Sequence, residues 1–375
     1  MDFALNDDHL ALREAAQRFC EGEYPPQHRG DPETPEQERG RWRAMAELGL
    51  LGLPFAAEYG GSAQGPEEVM LVAQELGRTL GGGAFVPSTV IAGQLLAALG
   101  SPQQRLQWLP ALASGEMQAA LALAEEGQRH EWTRVTLQAR RAPGGYVLHG
   151  RKTLVLGGDR AALLLVVART SGAGDARAGL SVFAVDACMP GVRVRGFDTL
   201  DGRRAAHVDV DEVSLPESRL LGRAGEAADA IEAALDAGVA ALCAEAAGAV
   251  EALLALTAEH LRTRKQFGAP LAKFQVLQHR VADLAIALEQ LKSMACAAAM
   301  AVAEADAARR RRIVSAAKAL AGQLGRRAGL DAIQMHGAMG MTDECRVGHY
   351  AKRLIVIGQL FGDADWHLRQ LHPAA

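Results

Sequence analysis

The chain has 375 residues, with 40 Lys and Arg against 44 Asp and Glu and a formal charge of −4 with histidine neutral. That length favours two or three domains, each with its own core, and 49% apolar against 22% charged residues is globular composition rather than disorder. So small a net charge argues against a surface that grips nucleic acid or anionic lipid. The four arginines at 309–312 follow Glu304 and Asp306 and read as a solvated helix end or loop. Cys20, Cys188, Cys243, Cys296 and Cys345 lie far apart without a CxxC, which argues against a disulfide framework and a zinc site. The first eight residues are polar and acidic where a signal peptide is basic and then apolar. No run of eighteen uncharged apolar residues exists to span a bilayer, so the expectation is a soluble, cytoplasmic protein.

From about residue 7 to 115 apolar residues recur at helical spacing. Leu10, Ala11, Ala15 and Phe19 form one stripe, and Val69, Val72, Ala73 and Leu76 another. Pro and Gly at 25–26, 60–61 and 81–83 stop the helices, and the polar stretch 27–41 reads as a mobile loop. Between 116 and 223 the texture changes to strands at 135–139, 146–148, 162–167, 180–185 and 207–210, divided by turn formers. Strands so short and closely spaced suggest a small barrel or sandwich. From Glu226 helix returns and runs to about Lys265, with Ile231, Leu235, Val239, Leu242, Ala246, Ala249 and Leu253 as its buried stripe. Breaks near 303–312 and 337–343 divide the remaining helices. The expected domains are therefore helical (1–117), β (118–224) and a helical bundle (225–375). No GxGxxG, P-loop, HExxH or GxSxG is present, and the eleven histidines show no metal-ligand spacing.

Five strings carry a resemblance. They are residues 48–54 with 58–61, residues 100–104 leading to 109–116, and residues 215–222. The other two are Arg264-Lys-Gln-Phe-Gly268 with Pro270, Phe274 and Gln275, and Gln334-Met-His-Gly-Ala-Met-Gly340. In order and spacing they resemble the acyl-CoA dehydrogenase family over nearly the whole chain. Strings at 274–280, 352–354 and 360–365 look like the branch that contains the small subunit of pimeloyl-CoA dehydrogenase. The resemblance implies an α+β fold with an N-terminal helical domain, a central β-barrel or sandwich and a C-terminal four-helix bundle. It also implies FAD as cofactor, an acyl-CoA substrate and an electron-transfer flavoprotein as acceptor.

The resemblance carries the FAD contacts onto Arg264, Phe267, Gln275, Gln334, Met335, His336, Gly337 and Ala338, reaching the flavin of a neighbouring subunit. A guanidinium at a helix end suits a diphosphate, although alone it would read as a complement to the helix dipole. Phe267 and Phe274 read more readily as packing residues. The family's proton-abstracting glutamate is replaced by Phe361, which takes no proton. The other location for that glutamate falls near Gly238 or Val239, leaving Asp236, Glu245 and Asp363 as weak candidates. Ala124 and Leu156 stand where relatives offer hydroxyls to the flavin ring. The expectation is thus a supporting subunit paired with a catalytic paralogue, the large subunit. The alternatives are a self-sufficient homotetramer and a non-catalytic scaffold.

Overall fold

The computed structural model describes residues 5–25 and 34–371. Helices come first: α1 (Asp7–Glu23), α2 (Pro35–Glu47), α3 (Pro66–Thr79), α4 (Gly93–Leu99) and α5 (Pro102–Ala113). Strands follow, as β1 (Ala119–Ala122), β2 (Gln138–Ala142), β3 (Gly145–Leu156), β4 (Leu163–Arg169), β5 (Leu180–Asp186), β6 (Val192–Asp198), β7 (Arg204–Pro216) and β8 (Leu220–Leu221). Helix then returns as α6 (Ala228–Thr263), a short hairpin of β9 (Lys265–Gln266) and β10 (Ala269–Pro270), α7 (Gln275–Val302), α8 (Ala307–His336), α9 (Arg346–Gln359) and α10 (Ala364–Leu371). This is the fold class that the resemblance implied.

Local chemistry explains several boundaries. Asn6 caps α1, its side chain accepting from the His9 amide at 2.8 Å. The mobile loop expected at 27–41 is helix from residue 35 onward, while 27–33 fall outside the described residues. Thr34 and Gln37 make a reciprocal capping box and Pro35 opens the first turn, so the polar string starts a helix instead. The stripe expected on α1 is displaced: Leu10 is 36% exposed, and the buried face is Ala16, Phe19 and Cys20. The break near 303–312 is shorter than expected. Asp306 caps α8, which begins at Ala307, so the four arginines lie in its opening turns.

Two compact units emerge, one from Met1–Pro32, Pro66–Gly82 and Val239–Ala375, the other from Glu33–Gly65 and Gly83–Gly238. In the second, the strand order is β6-β7-β3-β2-β4-β5-β8, with β1 added parallel to β4. The link between β2 and β4 is a single residue pair, Gln138 with Arg169, so two mainly antiparallel sub-sheets meet there. A single apolar cluster, including Ala120, Leu148, Val166, Phe183 and Val208, fills the space between them. The strand expected at 135–139 begins only at Gln138, and β1, β6 and β8 were not foreseen.

Several of the family-like strings turn out to be packing devices within this unit. Ser101 and Gln104 form a second capping box, and the Gln104 amide also donates to the carbonyls of Ser218 (2.8 Å) and Leu220 (3.0 Å). The strings at 100–104 and 215–222 are therefore joined. The string at 48–54 folds back on 60–64, where a Cβ on Gly61 would lie 2.1 Å from the Phe55 carbonyl oxygen.

In the first unit α6 is the central helix. Its predicted stripe is buried throughout, and so is nearly every other residue between 237 and 250. Helices α6 and α7 are long and apolar enough to cross a bilayer, which qualifies the expectation of no membrane span. The most apolar window of α6 is, however, 78% buried within the protein, against 39% for α7. Small residues let α3 and α6 approach closely: a Cβ on Gly248 would lie 1.9 Å from the Gln74 carbonyl oxygen. Gly248→Ala should therefore force the two helices apart and lower the unfolding free energy by about 1–3 kcal/mol. Gly322→Ala, whose Cβ would meet nothing closer than 3.6 Å, should be neutral or stabilising. Urea unfolding of the two variants measures the difference.

Candidate functional site

Helix α6 ends at Thr263, and the Arg264 amide donates to the His260 carbonyl at 2.9 Å. Arg264 is exposed and no carboxylate among the described residues pairs with it. The β9–β10 hairpin follows, with Phe267 at φ +54° and Gly268 at φ +77° at its tip. Positive φ at both central positions is the twist that a two-residue hairpin favours, but a phenylalanine there is strained. Phe267 is 89% exposed and touches only the edge of Phe274, with ring centroids 6.0 Å apart. The packing reading of Phe267 is thereby corrected: its backbone is strained while its ring stands in solvent. Phe274 is half-buried, and Gln275 opens α7 with an exposed side chain.

The end of α8 comes to the same place. His336 stacks on His260, with centroids 4.3 Å apart. Gln334, Gly337 and Ala338 are exposed, but Met335 is only 4% exposed, so its assignment as a cofactor contact is corrected to a core residue. The Gly337 amide closes α8 by donating to the Gln334 carbonyl and is not offered to a phosphate. What this end does offer is Arg264, two exposed carboxamides and two imidazoles, a donor set that suits the diphosphate of FAD.

Two of the three candidate bases are engaged elsewhere. Glu245 is 2% exposed, and its two oxygens accept from Arg353 Nε at 2.7 Å and Nη2 at 2.8 Å. A carboxylate so held in a bidentate pair is a structural anion, which corrects its standing as a candidate base. Asp363 caps α10 by accepting from the Trp366 amide at 2.7 Å. Asp236 lies half-buried on the part of α6 that belongs to the other unit.

Phe361 occupies the turn between α9 and α10 with φ +56°. Its carbonyl lies 3.1 Å from His367 Nε2, while His367 Nδ1 meets Ser315 Oγ at 3.1 Å. Lys318, fully buried on α8, donates to the carbonyls of Gly358 (3.3 Å) and Gly362 (2.7 Å). Burial brings the Lys318 amine down to about 8, although Cys243 and Asp363 oppose that shift. The Cys243 thiol is pushed up to about 12 by burial. These buried groups were missed in the sequence, where Lys318 is one charge among alanines.

In the β unit the Ala124 carbonyl accepts from the Thr153 amide at 2.7 Å, and Leu154 is 43% exposed at φ +48°. The neighbouring Glu125 is buried and accepts from Lys152 Nζ at 2.7 Å, the Thr136 amide at 2.7 Å and the Leu137 amide at 3.0 Å. Burial would raise this carboxyl, but the Lys152 charge and these donors hold it below its ordinary value. Burial takes Lys152 down to about 8 against the pull of Glu125. The pair joins β3, which carries Leu154 and Leu156, to the loop after β1 that carries Ala124, and none of those three side chains carries a hydrogen-bond donor.

Comparison with known proteins agrees with this architecture. Models of the acyl-CoA dehydrogenase N-terminal, middle and C-terminal domains match residues 6–116, 120–213 and 228–374. The chain is 27% identical over 366 residues to the probable acyl-CoA dehydrogenase YngJ of Bacillus subtilis, covering 96% of each. A solved FAD-dependent dehydrogenase superposes with a TM-score of 0.88 at 26% identity, over 99% of this chain and 98% of that one. A chain of the ChsE4–ChsE5 complex from Mycobacterium tuberculosis does so with a TM-score of 0.87 at 27% identity, again over 99% and 98%.

Two measurements follow from the buried charges. Arg353→Ala strands the Glu245 carboxylate and should cost about 3–5 kcal/mol, whereas an apolar replacement of both partners should recover most of it. Denaturant unfolding reads this directly. Lys318 titrates lower when folded (about 8) than its ordinary 10.5, so between those values the unfolded chain binds more protons. Stability contributed by this residue therefore rises with pH across that window. Wild type should gain stability relative to Lys318→Met as pH climbs from 8 to 10.5.

Proposed function

Since the chain belongs to the acyl-CoA dehydrogenase family, an oxidoreductase family with FAD as its cofactor, we propose that it is the supporting subunit of a two-component enzyme. Its partner would be a catalytic paralogue. The single observation that carries this reading is Phe361, on a turn held from three sides, where the family places its glutamate. A benzyl side chain removes no proton, and loss of a general base costs about 10²–10⁴ in rate. Glu245 is committed to Arg353 and Asp363 to a helix cap, so neither is placed to serve instead. A relative known as a complex of two such chains, ChsE4–ChsE5, supports the same reading.

When bound, FAD would accept the hydride from the β-carbon of the acyl thioester. Arg264, Gln275 and Gln334 would hold its diphosphate portion, with Phe267 against it or against the neighbouring chain. The paralogue would supply the carboxylate that takes the α-proton. The substrate would be an acyl-CoA, of the dicarboxylic kind such as pimeloyl-CoA on the strength of the C-terminal strings. Electrons would leave to an electron-transfer flavoprotein, in the cytoplasm.

Co-expression with an adjacent paralogue and counting flavin per subunit tests the proposal. Arg264→Ala should weaken FAD retention by the complex about 10–100-fold, the loss of a charge-assisted contact. Phe361→Leu should leave turnover of the complex unchanged. If the chain purified alone is yellow and its flavin is reduced by an acyl-CoA, the partner requirement falls.

A further inference from the structure

We infer that His260 and His336, together with Arg264, form a proton-linked anion site, in which the stacked imidazoles take up protons as a diphosphate dianion binds. The inference rests on the flavin-contact reading above and adds to it a dependence on pH. Its basis is a cluster of two imidazoles and a guanidinium with which no acid pairs among the described residues.

The rings stack with centroids 4.3 Å apart and planes 23° apart, one from the last turn of α6 and one from the last turn of α8. His336 Nδ1 lies 2.9 Å from the Ala332 carbonyl, so that nitrogen is the donor and Nε2 is the one left to take up a proton. Among the described residues no acid lies within ion-pairing distance of either ring, and the nearby Glu259 is paired with Arg262 at 3.7 Å. The charged neighbours are Arg264 and Lys265 after α6 and, on α8, Asp331, which pairs with Arg280 of α7 at 3.2 Å; residues 337–341 carry no charge.

A helix C-terminus ordinarily favours an imidazolium. Here burial, then the charges of His336 and Arg264, hold His260 below its ordinary value despite that dipole. Burial does the same to His336, partly offset by the Ala332 carbonyl. Both rings are thus held below the ordinary imidazole value, His260 by burial and by repulsion from His336 and Arg264, and His336 by burial. A dianion beside them removes that repulsion and favours the protonated form. It also meets the negative ends of two helices, an unfavourable field that Arg264 alone must otherwise overcome. Protonation of the pair answers both terms. The sign follows: the anion raises both titrations, so affinity climbs as pH falls through the histidine range.

Sulfate is a suitable probe because it stays dianionic across that range. Histidine C2–H resonances of the full chain, titrated between about pH 5 and 8 with and without sulfate, give the midpoints of both rings. Both should lie below the ordinary value without sulfate and move upward with it. Sulfate affinity should rise about tenfold per proton taken up for each unit of pH lowered. His336→Gln should raise the His260 midpoint, and Arg264→Ala should abolish the response to sulfate. Midpoints at the ordinary value, or unmoved by sulfate in the wild-type chain, overturn the inference. If sulfate moves them while the complex retains no FAD, the flavin reading fails and the proton-linked site stands. If FAD is retained through Arg264 with unmoved midpoints, the reverse holds.

Discussion

The ion pair between Glu245 and Arg353 decides what the central helix of the first unit can do. Taking a carboxylate and a guanidinium out of water costs several kcal/mol each, and only a well-formed bidentate contact offsets it. With both oxygens engaged at 2.7 and 2.8 Å, that condition is met. The pair ties α6 to α9, and α9 runs directly into the turn at Phe361. Beside it Lys318 satisfies its amine on the carbonyls of Gly358 and Gly362, and His367 links the same turn to Ser315. Buried polar groups of this kind rigidify only when fully partnered, and these are. The outcome is a turn held in a strained conformation, with Phe361 at φ +56°.

The far ends of α6 and α8 follow a different logic. There Arg264, Gln275 and Gln334 are exposed, and no acid pairs with Arg264 among the described residues, so they contribute little to folding. Phe267 in fact costs stability, since it holds a positive φ while its ring remains 89% exposed. Such a feature makes sense only through something that covers it. The family cofactor, with its diphosphate and its broad apolar ring system, has the chemistry that the donors and the aromatic tip would meet.

Much of the fold could be read from the residues because a single periodicity governed them. The stripe from Ile231 to Leu253 and the runs of β4 and β5 are buried as their spacing required. Where periodicity was weak the reading slipped. On α1 the alternatives Leu10–Ala11 and Ala16–Phe19–Cys20 differ by a fraction of a turn, and only packing separates them. Strands β1 and β8 are four and two residues long, too short to carry a pattern. The polar string before Trp42 looked like loop because its capping box resembles turn composition. At the candidate site, Arg264, Gln275 and Gln334, singled out by motif spacing, are exposed side chains. Met335 was misplaced because a contiguous motif on a helix necessarily points some members inward. His260, Lys318 and Arg353 were not legible, since their partners lie tens of residues away and no local signal marks them.

Retained scaffolding and retained function therefore have to be weighed separately. Lys318, His367 and the Glu245–Arg353 pair would persist whether or not this chain does any chemistry, since removing any of them leaves a buried polar group without its partner. The side chain at position 361 carries no such obligation, because the turn is held through the carbonyls of Phe361 and Gly362. Exposed residues answer to the opposite pressure: Arg264, Gln275 and Phe267 could change freely if nothing bound them. The informative asymmetry is thus not that the interior machinery around the turn survives. It is that exposed groups suited to an anionic cofactor are present, one of them under backbone strain.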